Sequence, residues 1–319
     1  MLGMFDFKKM HLPPENYLAC LDEKDGKDYL YIMPIGASLN NEMSDVHYQK
    51  GANVVYHVHS SGYETFTIDR GSVQVTICGK QCIVDEGDML HIMPYVPHGF
   101  TMLEEGTIWR ELFSQIDMNH GIMNKRLLEK DSPEMLEDAD FMAEYRSRLG
   151  TVRPGEPVVE KLDKTLVPQV RVKGSALKEF RFGYTNCKLK VGRWELGGEK
   201  EIWEYTFDEP CVLEWNVPHH DWDLFVVLEG RVQVEAARET FIAKKRDIIN
   251  IPPYTRHKIT ILDSGTVLQD NNCKFMALNL FENLNALQTN NPAELECKDT
   301  IQALFKTCGC ALSAVSKIC

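Results

Sequence analysis

His57 and His59 stand two residues apart in the run NVVYHVHSSGYETF, Glu64 follows five residues on, and His98 lies beyond a proline-bearing turn, PYVPH. If residues 53–59 form a strand, both imidazoles leave the same face, because side chains alternate along a strand with a period of two. Glu64, past the Ser-Gly pair at 61 and 62, then belongs to the next strand and can meet the histidines from the side. Three neutral imidazoles and one carboxylate suit a divalent Fe, Mn, Ni, Cu, Co or Zn ion. They leave one or two positions open for water or substrate on a metal that prefers five or six ligands. The competing reading makes these histidines hydrogen-bonded polar groups of a core. Four ligand-type residues together favour the metal.

The elements that must carry this set are strands. SVQVTI and RVQVEA alternate in polarity, and glycines or charged pairs such as Gly79-Lys80 punctuate the runs at turn spacing. An internal repeat sets the layout. Sliding the chain by 159 residues aligns Phe66, Gly71, Val73, Gln74, Val75, Ile83, Asp88, Ile92, Pro94, Tyr95 and His98 with Phe225, Gly230, Val232, Gln233, Val234, Ile242, Asp247, Ile251, Pro253, Tyr254 and His257. The expected class is all-β: two tandem barrels, with a linker helix and a C-terminal helix. We place the first barrel at 1–125, helix and linker at 126–175, the second barrel at 176–290 and a helical tail at 291–319. Ser132-Pro133-Glu134 has the chemistry of a helix start, and Gly150 that of its end. TVRPGEPVVE then reads as linker.

In the second copy, His57, His59 and Glu64 fall on Asn216, Pro218 and Asp223, while His257 keeps the last histidine. A shortened turn could bring His219, Asp223 and His257 around a second metal. A degenerate barrel is the alternative, and both stay open at this point. Tyr95 and Tyr254 recur beside the last histidine and are candidates to aim a phenol into a pocket, with packing as the plainer role. Cys297, Cys308, Cys310 and Cys319 fit no common zinc spacing and read as free thiols.

Gly51, His57, His59, Glu64 and Gly71 match at every spacing the first of two signatures of the cupin superfamily. Gly87, Asp88 and His98 fit the second, whereas Met93 and Tyr95 stand where that family often has proline and glycine. The chain thus resembles a bicupin, similar to quercetinase-like and germin-like metal-dependent cupins. The resemblance implies two jelly-roll barrels (double-stranded β-helices) over about 30–125 and 180–285. It also implies a metal held by His57, His59, Glu64 and His98. By the same resemblance Glu64 would either ligate the metal or act catalytically as a general base.

With 26% charged and 44% hydrophobic residues, the 319-residue chain has the composition of a folded globular protein. Its net charge of -12 disfavours nucleic acid as a partner, since phosphate binding needs a basic face. Neither a signal peptide nor a transmembrane run is evident, so a cytoplasmic location without membrane association is expected. The expected partner is a small molecule, and the chain could also pair as a homodimer. The first functional expectation is a dioxygenase-like oxidoreductase acting on a small hydroxylated aromatic or enolisable compound. The alternatives are a non-redox isomerase or decarboxylase of a small acid or sugar, and a non-catalytic ligand-binding module.

Overall fold

A computed structural model describes all residues except 1–9, 24, 33–40, 116–117, 214, 217–221 and 313–319. It is built mainly from strands, in two compact units. The first comprises residues 17–174, so the segment expected to be linker belongs to the first barrel. The second comprises 175–319 together with the chain's first 16 residues, which the expected boundaries had placed in the first barrel.

In the first unit a seven-stranded sheet runs in the order Val170–Arg171, Met89–Ile92, Tyr63–Arg70, Thr107–Ser114, Asn41–Tyr48, Gly26–Ile32, Ala19–Glu23. A six-stranded sheet runs Thr151–Val152, Asn53–His59, His98–Met102, Ser72–Ile77, Lys80–Asp85, Glu160–Lys161. The alternation expected for SVQVTI is present, every second residue being buried. Inward side chains of both sheets, among them Val46, Phe66, Ile68, Val75, Phe100, Trp109 and Phe113, form one core. This is the two-sheet closure that a jelly roll uses to manage its edges.

The second unit repeats the plan. Its seven-stranded sheet runs His11–Leu12, Ile248–Ile251, Asp223–Glu229, Thr266–Cys273, Glu201–Phe207, Thr185–Val191, Lys178–Phe182. Its smaller sheet runs Val212–Leu213, His257–Ile261, Arg231–Ala236, Glu239–Lys244. The repeat reaches further than the sequence comparison took it. Leu12 pairs with Ile248 and Arg171 pairs with Met89, and both couples are related by the same 159-residue step. The segment ahead of each repeat therefore completes the other repeat's sheet.

Gly71 and Gly230, equivalent in the repeat, both turn with positive φ, at 84° and 76°. A Cβ on Gly71 would lie 2.7 Å from Thr107 Oγ1, and one on Gly230 would strike Thr266 in the same way, so backbone conformation and close approach both require glycine.

The helices differ from expectation. Met118–Asp131 forms a helix that the sequence reading did not foresee, and the Ser132-Pro133-Glu134 start yields only the short turn Glu134–Glu137. The following helix, Ala139–Arg148, starts at Asp138, whose carboxylate accepts from the N–H groups of Asp140 and Phe141, a stronger cap than Ser132 provides. Near the C-terminus, Ala277–Asn290 is helix rather than barrel and buries Leu280, Phe281 and Leu284. The expected tail helix follows as Lys298–Thr307.

Candidate metal centre

The strand Asn53–His59 presents His57 and His59 on one face, and His98 sits opposite His57 in the antiparallel register of its neighbour, His98–Met102. Glu64 comes from the facing sheet, at the start of Tyr63–Arg70, after a turn in which Gly62 takes φ of 81°. One ligand-type atom from each of the four lies within 4.8 Å of all the others. His57 Nε2 is 2.9 Å from His59 Nε2, Glu64 Oε1 is 3.1 Å from His59 Nε2, and Glu64 Oε2 is 2.9 Å from His98 Nε2. His59, Glu64 and His98 are buried and His57 is half-buried.

Outer contacts orient each ring. His57 Nδ1 lies 2.7 Å from the Val55 carbonyl and His98 Nδ1 lies 2.9 Å from that of Val96, so both Nδ1–H groups donate outward and leave Nε2 bare toward the centre. His98 Nε2 and Glu64 Oε2, though close, are not aligned as a hydrogen bond, and each is a buried polar atom without a hydrogen-bond partner. Ligand-type atoms of all four residues thus converge on one point. A cation satisfies that arrangement, and the donor set fits a divalent transition metal.

The electrostatics agree. Burial, followed by the charges of His98 and His59, holds His57 down to about 4, so it is neutral at physiological pH. Burial would raise Glu64, but the charge of the adjacent His98 and the close approach of His59 outweigh it and keep the carboxylate ionised. For His98, burial works downward and Glu64 upward, and the net direction is up. Beneath the ligands, Phe66, Phe100 and Trp109 pack ring on ring, with centroids 4.7 to 5.3 Å apart. They close the barrel floor to water.

Two side chains near this centre escaped the sequence reading. Thr151, from the supposed linker, lies beside His59 with Oγ1 3.1 Å from Nδ1. Only the three-dimensional pairing reveals it. Glu111 lies opposite Phe66 in the register of Thr107–Ser114, two rungs from the Phe113–Glu64 pair and on the same inward face. Burial first, then the charges of Asp28 and Glu64, push its carboxyl well above the ordinary range, toward the protonated form. Ser44 Oγ lies 3.5 Å from it. The signal was available, because alternation puts Trp109, Glu111 and Phe113 on one face and the 159-residue step carries Glu111 onto another buried acid, Asp270. Arg110 points the opposite way and grips Asp45 through two bonds of 2.6 and 2.8 Å.

The remaining expected site residues are placed as follows, as far as they are described. His219 lies outside the described residues. Asp223 and His257 come no closer than 3.8 Å, and among the described residues the first barrel alone brings three or more ligand-type groups together. His257 Nδ1 lies 3.1 Å from the Thr255 carbonyl, just as His98 Nδ1 lies beside that of Val96. Asp223, His257, Asp270, Tyr205 and Phe275 help line a small cavity of about 40 Å³. Tyr95 and Tyr254 do not enter a pocket, being 73% and 65% exposed. Both take positive φ, 63° and 59°, in the turn where cupins often place glycine, and this backbone aims the phenols outward.

Residues 44–108 match the family model for the cupin domain. The second barrel repeats the first, and solved two-barrel proteins superpose on the chain. The chain carries a cupin domain and has the two-barrel fold of a bicupin. The formate complex of Lactobacillus farciminis oxalate decarboxylase matches at 15% identity with a TM-score of 0.55, over 82% of this chain and 85% of that chain. A variant of Bacillus subtilis oxalate decarboxylase matches at 17% identity and TM-score 0.53, over 82% and 76%. Another structure of the Bacillus subtilis enzyme, concerned with its Mn(II) centres, matches at 18% and 0.53 over the same shares. At these identities the likeness is one of fold. Among curated proteins none matches the chain's sequence. No helix among its described residues is long and apolar enough to cross a membrane.

Proposed function

We propose that the first barrel is a metal-dependent decarboxylase of a small carboxylic acid. The observation that carries this reading is Glu111, a buried carboxyl pushed toward its protonated form two rungs from the ligand Glu64. Loss of carbon dioxide leaves an electron pair on carbon, and a proton must replace the departing group. The net change is R–COO⁻ plus H⁺ giving R–H plus carbon dioxide. Diagonal neighbours on one face of a sheet are about 7–8 Å apart, a distance that a substrate of a few heavy atoms spans. Glu111 can therefore face the carbon while the ligand side of the substrate faces His57, His59, Glu64 and His98.

A divalent metal bound by those four residues supplies Lewis acidity for charge developing on a substrate oxygen. The residues of the chain do the rest. The three imidazoles and Glu64 fix the coordination, Phe66, Phe100 and Trp109 exclude water from below, and Glu111 holds the proton at its carboxyl oxygen. The similarity of fold to oxalate decarboxylases supports the same reaction class.

The test is carbon dioxide release from a panel of small 2-oxo, 2-hydroxy and dicarboxylic acids by the Mn(II)-loaded protein, with dioxygen uptake followed in parallel. Glu111→Gln should keep its metal and lose on the order of 10²- to 10⁴-fold in rate, as when a general acid is removed. Dioxygen consumption without carbon dioxide release would return the protein to the oxidoreductase class.

A further inference from the structure

For each imidazole to present Nε2 to one ion, its Nδ1 must carry the proton and must find an acceptor. His57 and His98 solve this within their own chain segments, each beside the carbonyl two residues back, Val55 and Val96. Those acceptors come with the backbone and are present whatever the neighbouring side chains. His59 is different. Its Nδ1 faces the hydroxyl of Thr151, 92 positions away in sequence.

The route by which Thr151 arrives is specific. The helix Ala139–Arg148 ends with Leu149 N–H bonded to Tyr145 and Gly150 N–H bonded to Ser147. Gly150 then turns with φ of 68°, and a Cβ there would stand 2.8 Å from Ser60 Oγ. Ser60 N–H donates to the Gly150 carbonyl at 2.8 Å, and Thr151–Val152 lies antiparallel to His59 and Val58. Three consecutive residues, 150–152, thus dock on the end of the ligand strand, and the middle one meets the back of a ligand.

We propose that Thr151 is a positioning residue of the metal centre: its hydroxyl accepts the Nδ1 proton of His59, so metal affinity is tied to docking of residues 150–152 on the barrel. The inference rests on the metal-centre reading of His57, His59, Glu64 and His98. It also makes His59 the ligand whose orientation depends on a side chain from a separate segment. By linkage the coupling is reciprocal, and metal binding must tighten the docked segment by the same factor by which docking tightens the metal.

Thr151→Val keeps the β-branched shape and removes the acceptor, while Thr151→Ser keeps the acceptor and removes the methyl. Mn(II) and Zn(II) affinities are measured for the full-length wild type and both variants by competition with a chelator. Backbone amide exchange of residues 150–152 is followed with and without Zn(II). The expected result is a 10- to 100-fold weaker metal in Thr151→Val, the usual cost of losing an outer-shell partner, with Thr151→Ser within a few-fold of wild type. Zinc should slow exchange at 150–152 in the wild type and do so less in Thr151→Val. Equal affinities in wild type and Thr151→Val would overturn the assignment while leaving the metal centre standing. A Thr151→Ser variant as weak as Thr151→Val would reduce the residue to strand packing and overturn it too. A wild-type protein that binds neither metal would remove the metal centre itself and this inference with it.

Discussion

The histidines of the metal centre hold protons unequally, which sets how metal affinity should follow pH. His57, at about 4, offers a bare Nε2 throughout the neutral range. His98 lies above its ordinary 6.5, because the Glu64 carboxylate more than offsets burial. A metal must displace that proton, so apparent affinity should fall about tenfold for each pH unit below the His98 pKa. Glu64→Gln acts here with two opposite signs. Dividing roughly 12 kcal/mol of site binding energy among four ligands assigns about 3 kcal/mol to Glu64, on the order of 100-fold in affinity. The same change removes the charge that raises His98 and leaves burial, which lowers it. The proton then competes less, and the deficit of about 100-fold at pH 8 should narrow steadily toward pH 6. Chelator competition with Zn(II) at pH 6, 7 and 8 measures this. A deficit that stays constant over those values would refute the reasoning. In metal-free protein the raised His98 stabilises the fold below 6.5 and loses that contribution as pH rises through its folded value. The lowered Glu64 stabilises above 4.5 and loses its contribution as pH falls. Both are fully present between about 4.5 and 6.5, so Glu64→Gln should lower the melting temperature within that window and weaken its fall on either side.

Leu12→Ala tests the strand exchange: Leu12 is buried against the second barrel, and truncation should cost about 2 kcal/mol or more. Amides of Ile248–Ile251 should then exchange faster while those of Met89–Ile92 do not, and equal loosening of both strands would contradict the assignment. Arg110→Met leaves Asp45 buried without its bidentate partner and should cost about 3–5 kcal/mol by urea denaturation. Adding Asp45→Leu should restore most of that, and a double variant no more stable than the single one would show that the pair's charge balance is not what matters.

The ligand set was legible because a period-two strand and a spacing of five residues encode it locally: His57, His59 and Glu64 need only the correct register to converge, and His98 sits one hairpin away. Barrel count and repeat were legible for the same reason, since alternation survives in one dimension. What escaped was non-local. Thr151 lies in a stretch whose Pro and Gly residues argue against regular structure, yet two of its residues find a strand edge to pair with. The exchanged strands His11–Leu12 and Val170–Arg171 are only two residues long, too short for periodicity to mark. The pocket reading of Tyr95 and Tyr254 failed on backbone geometry, because positive φ at the motif's glycine position turns the side chains outward.

The second barrel keeps part of the framework of the first barrel's site. Asp223, His257 and Asp270 occupy the places of Glu64, His98 and Glu111, and burial raises Asp270 to about 7 as it raises Glu111. These three belong to strands whose registers the sheets hold in place, so they persist as framework. At the places of His57 and His59 the sequence has Asn216 and Pro218, and Pro218 and His219 lie outside the described residues. Asp223 and His257 line a small cavity together with Asp270. Among the described residues, the first barrel alone brings three or more ligand-type groups together. Within that barrel the same-face pair His57 and His59 is the feature on which both the site and its dependence on Thr151 turn.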